Sequence, residues 1–394
     1  MKKIIPYGKH YIDEDDIKAV VDVLKYKNLT QGNEVLEFEK AVADYVGAKY
    51  AVALSSWTAG LHAACLALEI SKKDSVVTTP ITFVATSNSV IYCGGNPIFS
   101  DIDPNTVNIC PEKLEETIKN NPNIKAIIPV HFAGLPCEMK KIKLIADKYN
   151  IKIIEDAAHA LGAKYSDGSM VGSCKFSEIT GFSFHPVKSI AAGEGGMITT
   201  NSEEIYRKIL RIRSHGINKL DDAMMNKENS FTESLANPWY YEMQELGYNY
   251  RITDFQCALG RSQLKKLPLF LNKRKSLANF YDKHFKSIKN IIPIHKKHRN
   301  FSSHHLYVIR INFKNIKISR AELMSKLRDD GIITQVHYIP VIYHPYYQKL
   351  NYDKNLFPNS IKYYEDCLSI PMYFSLNNND QMKVIESLKK LIND

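Results

Sequence analysis

The sequence predicts an α/β protein in which a doubly wound, mostly parallel sheet is followed by a smaller α+β unit. Between residues 50 and 200, short apolar runs alternate with helical patterns, which is typical of βαβ units. The runs are nearly continuous in apolar residues, as expected for strands that helices cover on both faces. Near residue 265 this alternation stops, and a different mixture of helices and strands follows.

The elements of the first unit can be placed in chain order. Residues 1–14, with Pro6 and Gly8, are predicted to form an extended arm. Two amphipathic helices follow, and the second covers 33–46 and stops at Gly47, a residue type favoured at left-handed helix ends. The predicted strands cover 50–54, 75–78, 97–100, 126–131, 152–155, 180–184 and 196–200, and the helices between the earlier ones cover 59–68, 83–92, 111–119 and 139–149.

The rest of the chain contains an insert and a last helix of the large domain, followed by the smaller unit. Residues 219–238 show little periodicity and are predicted to form a long insert or lid. A helix over 252–263 follows, and the later elements are a long helix over 265–287, a strand over 306–312, a helix over 319–329, a strand over 332–337 and a terminal helix over 378–392. We therefore expect an arm (1–14), a large domain (15–265) and a small C-terminal domain (266–394).

Composition restricts the class of protein. The 394 residues are 44% hydrophobic, which is enough for a large core, and they carry a formal charge of +10. The charge is Lys spread along the chain, and no Arg precedes Arg207, so a nucleic-acid-binding protein is only a remote alternative. The seven Cys show no CxxC spacing, so we expect thiols and no metal. With no signal-like or membrane-spanning segment, we expect a cytoplasmic protein without a membrane partner.

In an open α/β sheet, ligands bind outside the carboxyl ends of the strands. Ser55, Ser56, Trp57 and Thr58 follow the first predicted strand and open a helix. Hydroxyls and free backbone N–H groups there suit a phosphate, although an ordinary Ser or Thr helix cap explains the same residues.

An acid and an amine follow two later strands. Glu155 and Asp156 end the fifth strand and point to opposite sides, so only one acid can face the crevice; Asp156 is the candidate, and a helix cap is its alternative role. Lys188 follows the sixth strand beside a Gly-rich turn. In a desolvated site the pKa of its amine would fall and free a nucleophile, although a single Lys is more often solvated.

Together these residues match what a pyridoxal phosphate (PLP) site needs. Such a site requires a phosphate anchor, an acid for the pyridine nitrogen and an amine for the aldehyde. His159, three residues after Asp156, can bond the ring oxygen of the cofactor, and Phe83 can stack on its ring. The catalytic candidates are therefore Lys188, Asp156 and His159.

The chain resembles the DegT/DnrJ/EryC1/StrS family of sugar aminotransferases. The stretches that carry the resemblance run in family order over nearly the whole chain: 29–32 (LTQG), 80–86 (PITFVAT), 155–162 (EDAAHALG), 182–188 (FSFHPVK), 194–196 (EGG), 210–216 (LRIRSHG) and 247–254 (GYNYRITD). The resemblance implies a PLP-dependent transferase of fold type I, similar to aspartate aminotransferase, with a large α/β/α domain and a small C-terminal α+β domain. It also implies a homodimer with shared active sites.

The resemblance assigns roles to individual residues. Lys188 would bind PLP covalently and move protons, and Asp156 would keep the pyridine nitrogen protonated. Asn249 would reach the cofactor phosphate of the other subunit. The implied cofactor contacts are Trp57, Thr58, Ala59, Phe83, Asp156, His159, Ser183, Lys188 and Asn249. The implied sugar contacts are Tyr7, Lys27, Asn28, Leu29, Thr30, Trp57, Ser183, Asn249, Thr334, Gln335, Val336 and His337.

The implied reaction is transfer of an amino group from L-glutamate to C4 of a nucleotide-linked 4-keto-6-deoxy sugar. The stretches 183–188 and 335–338 are most similar to members that act on a UDP-linked sugar, UDP-2-acetamido-2,6-dideoxy-β-L-arabino-hex-4-ulose, in pseudaminic acid biosynthesis. A different 4-keto sugar, as in bacillosamine, legionaminic acid or O-antigen synthesis, and a non-catalytic PLP-binding relative are the alternatives. Trp57 stands where the family usually has a small residue. Arg213 and Arg251 either bind substrate anions or form ion pairs within the fold.

Overall fold

The computed structural model of the protein describes residues 3–219 and 224–393. The helices are α1 (Glu14–Tyr26), α2 (Asn33–Val46), α3 (Trp57–Ala67), α4 (Ala85–Tyr92), α5 (Pro111–Asn120), α6 (Met139–Tyr149), α7 (Glu203–Arg213), α8 (Lys227–Ser230), α9 (Asp254–Phe285), α10 (Arg320–Asp329), α11 (Pro345–Gln348), α12 (Pro358–Asp366) and α13 (Asn378–Asn393). The strands are β1 (Tyr50–Leu54), β2 (Ser75–Thr78), β3 (Asn96–Phe99), β4 (Ile124–Ile127), β5 (Lys152–Asp156), β6 (Ile179–Ser183), β7 (Gly196–Thr200), β8 (Ile217–Asn218), β9 (Phe231–Thr232), β10 (Leu235–Ala236), β11 (Glu242–Met243), β12 (Ile291–Pro293), β13 (Tyr307–Ile311) and β14 (Cys367–Ile370).

A seven-stranded sheet forms the centre of the first unit, with the strand order β1-β7-β6-β5-β4-β2-β3. The pairs from β6 through β3 are parallel, and only β7 runs antiparallel to its neighbours β1 and β6. This arrangement confirms the predicted mostly parallel sheet. It also brings the carboxyl ends of β4, β5 and β6 to one edge, where polar side chains from different parts of the chain meet.

Two apolar cores cover the two faces of this sheet. One contains Phe182 and Phe38, and the other contains Ile154 and Ile179 with residues of α3 and α7. Successive residues of β5 and β6 therefore alternate between the cores, as side chains along a strand must. Helix α2 ends at Gly47, whose φ of 79° is the left-handed conformation predicted there.

The C-terminal part builds a smaller unit around an antiparallel sheet of order β12-β13-β14. Its core packs the second half of α9 with α10 and α13. Ile5 of the predicted arm is fully buried in the same core and bridges Ile332. The arm thus fastens to the C-terminal part of the chain. The proposed domain limits stay predictions, and position 265 falls inside α9.

The structure corrects several predicted elements. The strand predicted over 332–337 is absent, because the segment makes single bridges to two different partners, Ile5 and Ser369, and never forms a ladder. The helices predicted over 252–263 and 265–287 are one helix, α9, which continues through Pro268. Helix α7 and strands β12 and β14 were not predicted. The predicted insert over 219–238 contains α8 and the β9–β10 hairpin, and its residues 220–223 lie outside the described residues.

Candidate active site

A cavity of about 620 Å³ lies at the carboxyl ends of β5 and β6. Its lining comes from strand ends of the large sheet, from the first turn of α3, from the 82–86 segment, from residues 335–339 and from Tyr7 of the arm. Residues from three regions of the chain therefore meet here, and the cavity is large enough for a small-molecule ligand.

Asp156 ends β5 and is held by three hydrogen bonds. Its Oδ1 accepts from the indole Nε1 of Trp57 at 2.8 Å and from the backbone N–H of Ala158 at 3.2 Å. Its Oδ2 accepts from the Thr86 hydroxyl at 2.7 Å, and that hydroxyl also contacts Thr82 Oγ1 at 2.7 Å. The carboxylate is buried and borders the cavity, so its orientation is fixed.

Glu155 points to the opposite face of the sheet. Its carboxylate contacts His131 Nε2 at 2.7 Å and accepts from Tyr165 at 2.5 Å, and it is fully buried. These bonds and the imidazole keep the pKa of Glu155 below its ordinary value despite burial, which alone would raise it. Glu155 is thus a structural acid, and Asp156 is the one that faces the cavity.

Lys188 supplies an amine on the same cavity. Burial of its side chain lowers the pKa from 10.5 to about 8, and the negative charge of Asp156 works in the opposite direction. No salt bridge to Lys188 is found within residues 3–219 and 224–393. The amine is therefore much more often neutral near pH 7 than an ordinary lysine, as a nucleophile requires.

His159 stands beside the cavity as a neutral imidazole. Burial, together with the charge of Lys188, holds its pKa well below the ordinary value. Its Nδ1 accepts from the backbone N–H of Ala133 at 3.3 Å, which assigns the ring proton to Nε2. Nε2 lies 3.1 Å from the Tyr338 hydroxyl, and the two rings are stacked with centroids 6.1 Å apart.

The first turn of α3 ends at the cavity. Ser56 caps the helix, and its hydroxyl accepts from the backbone N–H of Ala59 at 3.1 Å. Ser56, Trp57 and Thr58 line the cavity, whereas Ala59 does not. The helix-cap interpretation of Ser56 is thus correct, and the N-terminus of α3 still faces the cavity at Thr58.

The cavity collects eleven of the predicted site residues. They are Tyr7, Trp57, Thr58, Phe83, Asp156, His159, Ser183, Lys188, Gln335, Val336 and His337. His337 Nδ1 lies 2.8 Å from Ser369 Oγ, and burial lowers the pKa of His337 to about 3, so this imidazole is neutral too. Phe83 keeps 59% of its surface exposed at the cavity mouth.

Seven predicted residues do not line this cavity. They are Ala59, Lys27, Asn28, Leu29, Thr30, Asn249 and Thr334. Thr334 is buried nearby. Residues 27–30 and Asn249 are exposed, and they lie in one region, because Thr30 bridges Thr253 and the Leu29 carbonyl accepts from the Asp254 N–H at 2.9 Å. We call residues 27–30 together with Asn249 the exposed patch.

The two motif arginines do not reach the cavity. Arg213 Nη1 donates to Glu39 Oε1 at 2.6 Å and to the Ala53 carbonyl at 3.0 Å, in a largely buried pair. Arg251 does not border the cavity either. For Arg213 the structure favours the ion pair within the fold over binding of a substrate anion.

The sequence reasoning missed several cavity residues. Thr86, Tyr338 and His305 line the cavity, and the His305 and His159 ring centroids are 4.4 Å apart. Thr86 and Tyr338 lay inside stretches already singled out, so each could have been found as a polar residue next to a predicted contact. His305 precedes a strand of the small unit, and nothing in the local sequence marks it.

A desolvated lysine and a buried acid lie at the carboxyl edge of a mostly parallel seven-stranded sheet, as a PLP site requires. The profile of the DegT/DnrJ/EryC1/StrS aminotransferase family matches residues 10–389, and the chain belongs to this family. The protein is therefore a PLP-dependent aminotransferase of fold type I.

Individual relatives agree with this assignment. The chain is 41% identical over 390 residues to the UDP-4-amino-4,6-dideoxy-N-acetyl-β-L-altrosamine transaminase of Campylobacter jejuni, covering 99% of this chain and 98% of that one. The structure of Helicobacter pylori PseC, an aminotransferase of pseudaminic acid biosynthesis, superposes with a TM-score of 0.89 at 32% identity and covers 99% and 100% of the two chains. The PLP form of the sugar aminotransferase Spr1654 from Streptococcus pneumoniae also gives a TM-score of 0.89, at 28% identity and 99% coverage of both chains.

Within residues 3–219 and 224–393, no helix combines the length and the hydrophobicity needed to span a membrane.

Proposed function

We propose that this aminotransferase moves an amino group from L-glutamate to C4 of a nucleotide-linked 4-keto-6-deoxy sugar, UDP-2-acetamido-2,6-dideoxy-β-L-arabino-hex-4-ulose. The observation that carries the proposal is the joint placement of Lys188 and Asp156 on one cavity of a chain that is 41% identical to an altrosamine transaminase. The free cysteines fit a reducing compartment, so we also propose a cytoplasmic location.

The cavity residues suit the chemistry of PLP. Lys188 offers an amine with a pKa of about 8, and Asp156 offers a fixed carboxylate. Ser183 and Thr58 offer hydroxyls beside the N-terminus of α3, where a phosphate is stabilised. Phe83 offers an aromatic face at the cavity mouth. These residues would hold the phosphate, the pyridine nitrogen and the ring in the roles assigned to them above.

When bound, PLP supplies an aldehyde that carries the amino group and a ring that withdraws electrons. The protein supplies the proton transfers and the orientation. Lys188 Nζ takes up and returns a proton, which its lowered pKa makes easier near neutral pH. Asp156 would accept a hydrogen bond from the pyridine N–H of the bound cofactor. His159 is neutral and protonated on Nε2, and this N–H group donates to the Tyr338 hydroxyl, which fixes the imidazole ring beside the cavity.

The exposed patch supports a shared active site in a homodimer. Its predicted sugar and phosphate contacts, residues 27–30 and Asn249, are exposed and lie outside the chain's own cavity. In a two-fold dimer, the patch of one subunit can complete the cavity of the other. We therefore assign residues 27–30 and Asn249 to the site of the partner subunit.

The substrate is tested by a direct reaction. The protein is incubated with PLP, L-glutamate and each C5 epimer of the UDP-linked 4-keto-6-deoxy N-acetylhexosamine, and the product is assigned by NMR. We expect a C4 amine from the β-L-arabino substrate and no product with Lys188→Ala. Faster turnover of the other epimer would refute the proposed sugar, and no transfer to either would refute the nucleotide-sugar reaction.

The shared site is tested with mixed dimers. Lys188→Ala and Asn249→Ala chains carry different tags, are allowed to exchange, and the heterodimers are isolated. One site of each heterodimer then carries both changes and the other carries neither, so activity above both parent proteins is expected. Isolated heterodimers no more active than the parents would show that Asn249 does not act across the interface.

A further inference from the structure

Trp57 occupies a slot between α3 and β6 that glycines make possible. Its side chain is 5% exposed. A Cβ atom on Gly181 would lie 1.8 Å from Cη2 and Cζ3 of the indole, and one on Gly60 would lie 2.6 Å from Cε3. Neither glycine has a positive φ, so backbone conformation does not require glycine at these positions. Glycine is required at both positions because the indole ring occupies the space that a side chain would need.

Both glycines weaken the element that contains them. Gly60 lies inside α3, where glycine costs about 1 kcal/mol relative to alanine, and Gly181 lies inside β6, where it leaves no side chain to pack. A ring that only filled space could be replaced by smaller apolar residues at all three positions. The indole must therefore contribute something that aliphatic packing cannot, and its N–H group is the feature that such packing lacks.

The N–H group points at the acid of the site. Nε1 donates to Asp156 Oδ1 at 2.8 Å, and the Ala158 N–H uses the same oxygen. Thr86 occupies one position on Oδ2. A carboxylate has about four acceptor positions. Among the described residues three positions are in use, and the fourth, on Oδ2, has no donor; Asp156 itself borders the cavity.

We propose that Trp57 is a positioning residue for Asp156: its indole N–H anchors Oδ1 so that the free acceptor position of Oδ2 meets the pyridine N–H of PLP. This inference rests on the proposed role of Asp156. It predicts that the N–H group, and not the bulk of the ring, determines how tightly PLP is held and how fast the amino group is transferred.

The test replaces the N–H and keeps the ring. The chain has two tryptophans, and Trp239, directly after the insert, is 71% exposed, so Trp239→Phe leaves Trp57 as the single tryptophan. A tryptophan auxotroph then incorporates β-(3-benzothienyl)alanine, in which sulfur replaces the indole N–H. The Trp239→Phe protein with ordinary tryptophan is the matched control. The dissociation constant of PLP, the pH titration of the visible band of bound PLP, kcat and KM are measured for both, with the thermal unfolding of the apoproteins.

We expect the analogue to weaken PLP binding and to lower kcat by about 10- to 100-fold, the range for a hydrogen bond to a charged group. The midpoint of the spectral titration should move, while KM for the sugar and the unfolding temperature of the apoprotein stay close to the control. Unchanged PLP affinity, titration and kcat in the analogue would overturn the inference and leave Trp57 as a packing residue.

Two further measurements keep the result interpretable. If the analogue protein does not fold, Trp57→Phe is compared with Trp57→Phe/Gly181→Ala, because the added methyl group fills space without restoring the donor. Recovery of PLP affinity in the double variant would overturn the inference, whereas recovery of stability alone supports it. If the control itself binds no PLP on Lys188, the proposed function fails, which is distinct from a failure confined to Trp57.

Discussion

The low pKa of Lys188 makes the capture of PLP by the apoprotein depend on pH in a specific way. Burial lowers the pKa from 10.5 to about 8. At pH 7 about one tenth of the amine is then neutral, compared with about one part in 3000 for a solvated lysine, a difference of about 300-fold. Because the neutral amine is the nucleophile, the rate of covalent capture should rise about tenfold per pH unit below pH 8 and level off above it.

Stopped-flow absorbance after mixing apoprotein with PLP, from pH 6 to 11, measures this rate. Nα-acetyl-lysine under the same conditions corrects for the titration of PLP itself, and its rate should bend near pH 10.5. The charge of Asp156 raises the pKa of Lys188, so Asp156→Asn should move the bend below pH 8. A bend near pH 10.5 in the wild-type protein would refute the argument that the cavity desolvates this amine.

The lowered pKa of Lys188 also makes the folded apoprotein less stable below about pH 8. An amine whose folded pKa lies below its unfolded value binds its proton more weakly in the folded state. It therefore opposes folding fully below about pH 8, and the penalty disappears as the pH rises to 10.5. The shift corresponds to about 3 kcal/mol. Apoprotein with Lys188→Met should thus be more stable than wild type at pH 7 and lose that advantage at pH 10.5; an equal urea-unfolding difference at both values would contradict this.

Two further predictions concern Asp156 and Arg213. Asp156→Asn should leave the circular dichroism spectrum intact and slow turnover by the equivalent of a few kcal/mol, about that of losing a major electrostatic stabiliser; near-normal kcat would reduce Asp156 to a structural residue. Arg213→Ala leaves the buried Glu39 carboxylate without its cation and should cost about 3–5 kcal/mol of unfolding free energy in urea. Arg207→Ala, in an exposed pair with Glu203, is the control and should cost less than about 1 kcal/mol. Equal losses in the two arginine variants would contradict the buried-pair argument.

Sequence reasoning located the cavity because its main residues sit at strand ends. The apolar runs that became β5 and β6 are followed at once by Asp156 and Lys188, and parallel strands bring such ends together. The same reasoning failed over 332–337. That stretch has the apolar pattern of a strand, but its two bridging partners, Ile5 and Ser369, belong to different parts of the chain. Local pattern carries no information about which distant segment is available for pairing.

The predicted contacts that lie outside the cavity show a second limit of prediction from sequence. Asn249, Leu29 and Thr30 belong to motifs of the family, and residues 27 and 28 directly precede one, yet nothing in a motif says in which subunit a residue acts. The structure separates them from the cavity and groups them in the exposed patch. The structure thus separates predicted contacts that line the chain's own cavity from predicted contacts that lie outside it, and the sequence does not.

Residue types that local rules do not favour can have a common explanation in the folded structure. Trp57, Gly60 and Gly181 are an example. By local rules, glycines inside a helix and a strand are poor choices, and tryptophan has only an intermediate preference for helices. In the structure the two glycines leave space for one indole, and the indole donates to Asp156. Departures from local preference that share a single explanation are expected at functional sites. If that explanation holds, Gly181→Ala should be tolerated only when residue 57 is also made small, and the resulting protein should fold but hold PLP poorly.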